Sequence, residues 1–115
     1  MLKIGLTGGI GTGKSSVSAL FKEWGAYIFD ADVVAKDIIN NNDTAQSELI
    51  AEFGTDVLGA NNKIDKKKLA QIAFSDEDNQ LRLNIIIHPY VFNEIDSTFD
   101  KVLADGNHEV FVVDA

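Results

Sequence analysis

Apolar residues fall into short unbroken runs at the two ends of the chain and into helical periodicity between them. Leu2 to Thr7 is apolar and stops at a pair of glycines, which reads as a buried strand ending in a tight turn. From Lys14 onward Val17, Leu20, Phe21 and Trp24 recur at helical spacing, and Gly25 is placed to close that helix as a left-handed cap. Ala26 to Phe29 is a second β-compatible run that leads into the acidic turn Asp30, Ala31 and Asp32. Two strands flanking a helix imply a parallel βαβ unit.

The middle of the chain reads as helical. One helix runs from about Asp32 to Ile39, and another from about Thr44 to Phe53, closed by Gly54. Residues Thr55 to Ile64 form a loop, after which Asp65 caps a helix carrying Leu69, Ile72, Ala73 and Phe74. Ser75 reads as the N-cap of a helix bearing Leu81, Leu83, Ile85, Ile86 and Ile87, and Pro89 as the first turn of a further helix that ends near Ala104. The last run, Val110 to Val113, closes on Asp114 and has the unbroken apolar character of a strand buried on both faces. Such a strand leads into further structure, so the pattern predicts that the chain is truncated from a longer one.

Composition narrows the classes. The 115 residues suffice for one domain and one core, and 45% hydrophobic with 24% charged residues is ordinary globular usage. There is no cysteine, which excludes disulfides, thiolate metal sites and cysteine nucleophiles and fits a reducing compartment. No run approaches a membrane span and the N-terminus lacks a secretory pattern, so a cytoplasmic location is expected. A net charge of −8 repels polyanions and argues against nucleic-acid and anionic-membrane binding, so any anion must be held by a local device.

That device is legible. Gly8 to Ser15 match GxxxxGK[ST] in full, between an expected strand and an expected helix, the context the motif requires. Gly9, Gly11 and Gly13, with Thr12, Lys14, Ser15 and Ser16 around them, free successive backbone N–H groups to converge on phosphate at the positive end of a helix dipole. Lys14 supplies a point charge for the β and γ phosphates of ATP, and the Ser15 hydroxyl is placed to ligate Mg²⁺. Asp114 ends an apolar run of the kind that brings a carboxylate near the magnesium, or merely ends a strand. The expected fold is therefore α/β, a P-loop NTPase of the nucleoside-kinase-like type with three αβα layers and a parallel sheet, truncated after its third strand.

Leu6 to Ser16, reading LTGGIGTGKSS, stands with Asp30-Ala31-Asp32 and, much later, Leu83-Asn84 and His88-Pro89. This combination resembles the dephospho-CoA kinase family over the whole chain. The resemblance implies ATP-dependent phosphorylation of the 3′-hydroxyl of dephospho-CoA to give coenzyme A. It implies that Gly11 to Ser16 hold ATP, that Asp32 with Lys14 carries the chemistry as general base and phosphate ligand, and that Asp32 and His88 face the acceptor. A P-loop core over 1–115 would carry an inserted helical acceptor-binding region at about 32–104. Asp30 would be a supporting residue. Each residue also has a plainer reading: Asp32 as a helix N-cap, His88 as a turn or cap residue, and Lys66, Lys67 and Lys68 as a solvated helix face.

The chain also departs from the family. Lys66 stands where the family usually has an arginine and cannot make the same bidentate fork. The helical lid, its arginines and the late adenine loop have no counterpart, and the one arginine, Arg82, matches none of the family's. In kinases of this type the first strand is central, so an exposed sheet edge is expected to drive self-association. The other readings kept open are a different small-molecule P-loop kinase, and a non-catalytic ATP-binding fragment.

Overall fold

In a computed structural model of the chain, residues 1–6 and 14–115 are described, the side chains of residues 14–16 excepted. Three β-compatible runs become β1 (Leu2–Leu6), β2 (Tyr27–Asp30) and β3 (Val110–Asp114). They form one parallel sheet in the order β1-β3-β2. The helices are α1 (Lys14–Glu23), α2 (Ala31–Asn41), α3 (Asp43–Phe53), α4 (Lys66–Ala73) and α5 (Glu77–Asp105), with a 3₁₀ turn at Gly54–Val57. None is long and apolar enough to cross a membrane among the described residues.

Two compact units divide the chain: Met1–Val34 with Phe92–Ala115, and Ala35–Val91. In the first, β3 is the centre. Consecutive Phe111 and Val112 are both fully buried, which requires both faces of the strand to be covered. Phe111 meets Phe99 of α5 edge-on at 5.3 Å and stacks on Tyr27 at 5.4 Å, so α5 covers one face. By alternation Val112 points to the other, where α1 packs on β2 and β3. These are the expected αβα layers.

Local signals account for most of the helix ends. Gly25 closes the α1 turn at φ +88°, a conformation a side chain would strain, and Gly54 ends α3 at φ +78°. In the second unit Asn42 Oδ1 accepts the Ala45 N–H at 2.9 Å to start α3. Asp65 Oδ1 does the same for α4, accepting from the Lys67 and Lys68 N–H groups at 2.9 and 3.2 Å. That unit buries Ala45, Leu49, Val57, Leu69, Ala73 and Ile87.

Three expectations are corrected. Ser75 does not cap α5: Asp76 Oδ1 accepts the Asn79 N–H at 2.7 Å, while the Ser75 hydroxyl donates back to the Ile72 carbonyl at 2.7 Å. Pro89 does not begin a new helix but lies inside the 29-residue α5. Losing one backbone donor costs the helix a hydrogen bond, and Val91 and Ile87 flanking the proline are both buried, which holds the helix continuous through it. Finally, β1 is not a buried strand. It pairs only with β3 among the described residues, and Leu2 is 60% exposed, because β3 and not β1 takes the middle of this sheet.

Candidate functional site

Because all three strands are parallel, their C-terminal ends lie along one edge, the edge at which ligands bind in open α/β sheets. Leu6, Asp114 and Asp30 form one row in the register. β1 ends at this edge with Leu6, and α1 begins at Lys14. The sequence candidates Gly9, Gly11, Thr12 and Gly13 lie outside the described residues, as do the side chains of Lys14, Ser15 and Ser16.

At the end of β2 the acidic turn resolves into two roles. Asp30 Oδ1 accepts the N–H groups of Asp32 and Val33, both at 3.1 Å. It is therefore the N-cap of α2, and α2 begins at Ala31. Asp32 is released from the capping role that its position at a helix start allowed, and stands exposed in the first turn, one residue past the start of the helix. The helix dipole favours a carboxylate there. Asp30 caps the helix, and the Asp32 carboxylate takes no part in that cap.

Asp114 ends β3 in register with Asp30, half-buried at this edge. No three metal-binding side chains cluster among the described residues. Mg²⁺ needs no such cage, being held by one or two carboxylates or hydroxyls together with substrate phosphates, and the oxygen donors of Ser15 and Asp114 suit it. His88 lies in the second unit, exposed and inside α5, so the turn or cap role is corrected: the helix continues through it.

Arg82 is built into the second unit. Its Nε donates to Glu52 Oε1 at 2.6 Å, Nη2 to the Glu52 carbonyl at 2.8 Å and Nη1 to Asn79 Oδ1 at 2.8 Å, while the guanidinium sits 4.8 Å from the Phe53 ring centroid. It ties α5 to the end of α3 through three of the five guanidinium N–H groups. Tyr90 carries no signal in the sequence pattern. Its hydroxyl donates to Glu48 Oε1 at 2.8 Å, and the carboxylate's acceptance of that proton raises the phenol pKa above its usual 10.0.

A family model for dephospho-CoA kinase matches residues 2–114. The dephospho-CoA kinase of Thermobifida fusca is 46% identical over 91 residues, covering 79% of this chain and 46% of its own length. That of Bacillus cereus is 36% identical over 107 residues, covering 93% and 54%. Among solved structures, TT1252 from Thermus thermophilus superposes with a TM-score of 0.67 at 29% identity, over 99% of this chain and 55% of that one. The dephospho-CoA kinase from Campylobacter jejuni gives 0.64 at 25% identity, over 96% and 55%. The chain spans about half the length of the relatives it matches. With a parallel sheet, a phosphate-loop sequence between β1 and α1 in the chain and a match over nearly every residue, the chain belongs to the dephospho-CoA kinase family.

Proposed function

We propose that this chain serves the transfer of the γ-phosphoryl group of ATP to the 3′-hydroxyl of dephospho-CoA, in the cytoplasm. The observation that carries the reading is the family match over residues 2–114, which takes in the phosphate-loop sequence and Asp32 together. A different small-molecule P-loop kinase is not favoured by a match of that extent. In the proposed reaction the 3′-oxygen attacks the γ-phosphorus in line, the bond to the β–γ bridging oxygen breaks, and ADP leaves. Asp32 orients the hydroxyl and takes its proton, its release from capping by Asp30 supporting that role.

Lys14 and the backbone N–H groups from Gly9 to Ser16 hold the phosphates, a sequence-level assignment. Ser15 and Asp114 are the groups the chain offers to Mg²⁺, which when bound neutralises charge on the β and γ oxygens. His88 is assigned to the acceptor side, within a helical acceptor-binding region at about 32–104. Phosphoryl transfer needs little covalent help, so positioning and charge supply most of the catalysis.

ADP release from MgATP, with and without dephospho-CoA, tests the reading on the chain and its Lys14→Ala variant. Release that depends on the acceptor is expected, with MgATP binding weakened about 10- to 100-fold in the variant, the worth of one charge-assisted contact. Release indifferent to dephospho-CoA defeats the reading. Lys14-dependent ATP binding without release would leave ATP binding as the chain's sole activity.

Self-association is proposed at the open side of β1, supported by its single strand partner among the described residues and by the exposure of Leu2. Light scattering is expected to show mass rising with concentration. A monodisperse monomer across the range removes the proposal.

A further inference from the structure

The second unit holds a cavity lined by the cations of Lys36 and Lys66, and the first unit holds one of about 360 Å³ with the opposite charge. Its ionisable lining residue is Glu109, with Phe21, Trp24 and Asn107 on the same wall. It sits where β2 and β3 begin, since Ala26 and Val110 also line it. The row of Asp30 and Asp114 lies at the other end of those strands, about 13 Å away at about 3.3 Å per residue. The cavity is therefore separate from the site described above.

Local bonds hold its walls in place. Gly25, at φ +88°, turns the chain from α1 into β2. His108 Nδ1 donates to the Gly25 carbonyl at 2.6 Å, and its ring meets Tyr27 edge-on at 5.7 Å. The turn before β3 is thereby fastened to the turn before β2. One residue on, the Glu109 carbonyl accepts the Leu2 N–H at 2.9 Å. Phe21 meets Trp24 edge-on at 5.8 Å, which orients an indole that is 73% exposed. Such a wall is formed before any ligand arrives.

Its chemistry selects a cation. Glu109 is exposed, and no cation pairs with its carboxylate among the described residues. The C-terminal end of α1 adds partial negative charge, which Lys22 in the last turn offsets in part without lining the cavity. The net charge of −8 works in the same direction. Indole is the best of the aromatic faces for a cation. An ammonium would satisfy the charge alone, whereas a planar guanidinium both stacks on a ring and donates two parallel N–H groups to a carboxylate. The volume lies at the lower end of small-molecule pockets. We infer that this cavity binds a guanidinium-bearing ligand of about amino-acid size, its cation stacked on Trp24 and forked onto Glu109.

Trp24 is the one tryptophan in the chain, so its fluorescence reads the cavity directly. Titration with N-acetylargininamide is expected to change the emission saturably, and the uncharged isostere N-acetylcitrullinamide to leave it unchanged. N-acetyllysinamide, with the same charge and no fork, should bind about tenfold more weakly. Glu109→Gln should weaken N-acetylargininamide binding about tenfold and flatten its salt dependence. Trp24→Ala, followed by calorimetry, should weaken it several-fold. Both side chains are exposed, so both variants should fold as the parent does. Binding that ignores both substitutions, equal binding of the citrulline isostere, or no saturable change overturns the inference. A glycine-flanked arginine peptide separates the sources of the group: binding equal to that of the amide gives the guanidinium a polypeptide origin, weaker binding a free compound, and either upholds the chemistry. None of these outcomes depends on ADP release, so the inference and the kinase reading fail separately.

Discussion

Asp32→Asn is expected to slow phosphoryl transfer to dephospho-CoA by about 10²- to 10⁴-fold, the usual worth of a positioned general base. Asparagine keeps the size of the side chain and its fit in the first turn of α2 but cannot accept the hydroxyl proton. Asp32 makes no part of the α2 cap, since Asp30 accepts the two N–H groups there. Folding stability should therefore stay within about 0.5 kcal/mol of the parent, as for exposed positions outside named structural features. Asp30→Ala is the control with the opposite signature, losing about 1 kcal/mol with the cap. The loss in Asp32→Asn should fall mainly on kcat, with a small change in KM for the acceptor, because the asparagine oxygen can still accept the hydroxyl's hydrogen bond and orient it but cannot take its proton. Were Asp32→Asn to lose stability and keep its turnover, the residue would be structural and the division of labour between the two aspartates would be wrong.

Phe111→Ala should cost about 3–5 kcal/mol of unfolding free energy, the range for a buried aromatic cut back to a methyl group. The phenyl ring is fully buried and touches Tyr27, Phe29 and Phe99, so the residue joins β2, β3 and α5. Its neighbours are rings on a sheet and a helix, which cannot close over the gap without moving backbone. For a domain whose whole stability is about 5–15 kcal/mol, such a loss approaches complete unfolding. Urea denaturation reads it directly, with Trp24→Ala, at a side chain 73% exposed, expected within about 0.5 kcal/mol of the parent. A loss below about 1 kcal/mol in Phe111→Ala would mean that the centre of the first unit is not where β3 places it.

Much of this was legible without coordinates. Gly25 and Gly54 mark helix ends because a left-handed residue is written in the absence of a side chain, and Asp65 announces α4 because a carboxylate before a helix satisfies its free donors. The unbroken run at Val110 to Val113 named the strand buried on both faces. The competition at Ser75 and Asp76 was not legible, since either side chain caps equally well in sequence and only the realised geometry assigns the bond. Pro89 misled for a related reason: its local cost is real, and it is offset by the burial of Ile87 and Val91, which no local pattern reports.

By itself the sequence determined the phosphate-loop motif, the parallel α/β class and most helix ends, because each depends on residues within a few positions of one another. Tertiary structure alone decided that β3 lies between β1 and β2, that Arg82 is spent on Glu52, and that Lys36 and Lys66 share one cavity. The physical reason is range: turn sterics and capping act along the backbone, whereas burial and the meeting of two helix faces depend on contacts between residues tens of positions apart, which no local pattern encodes.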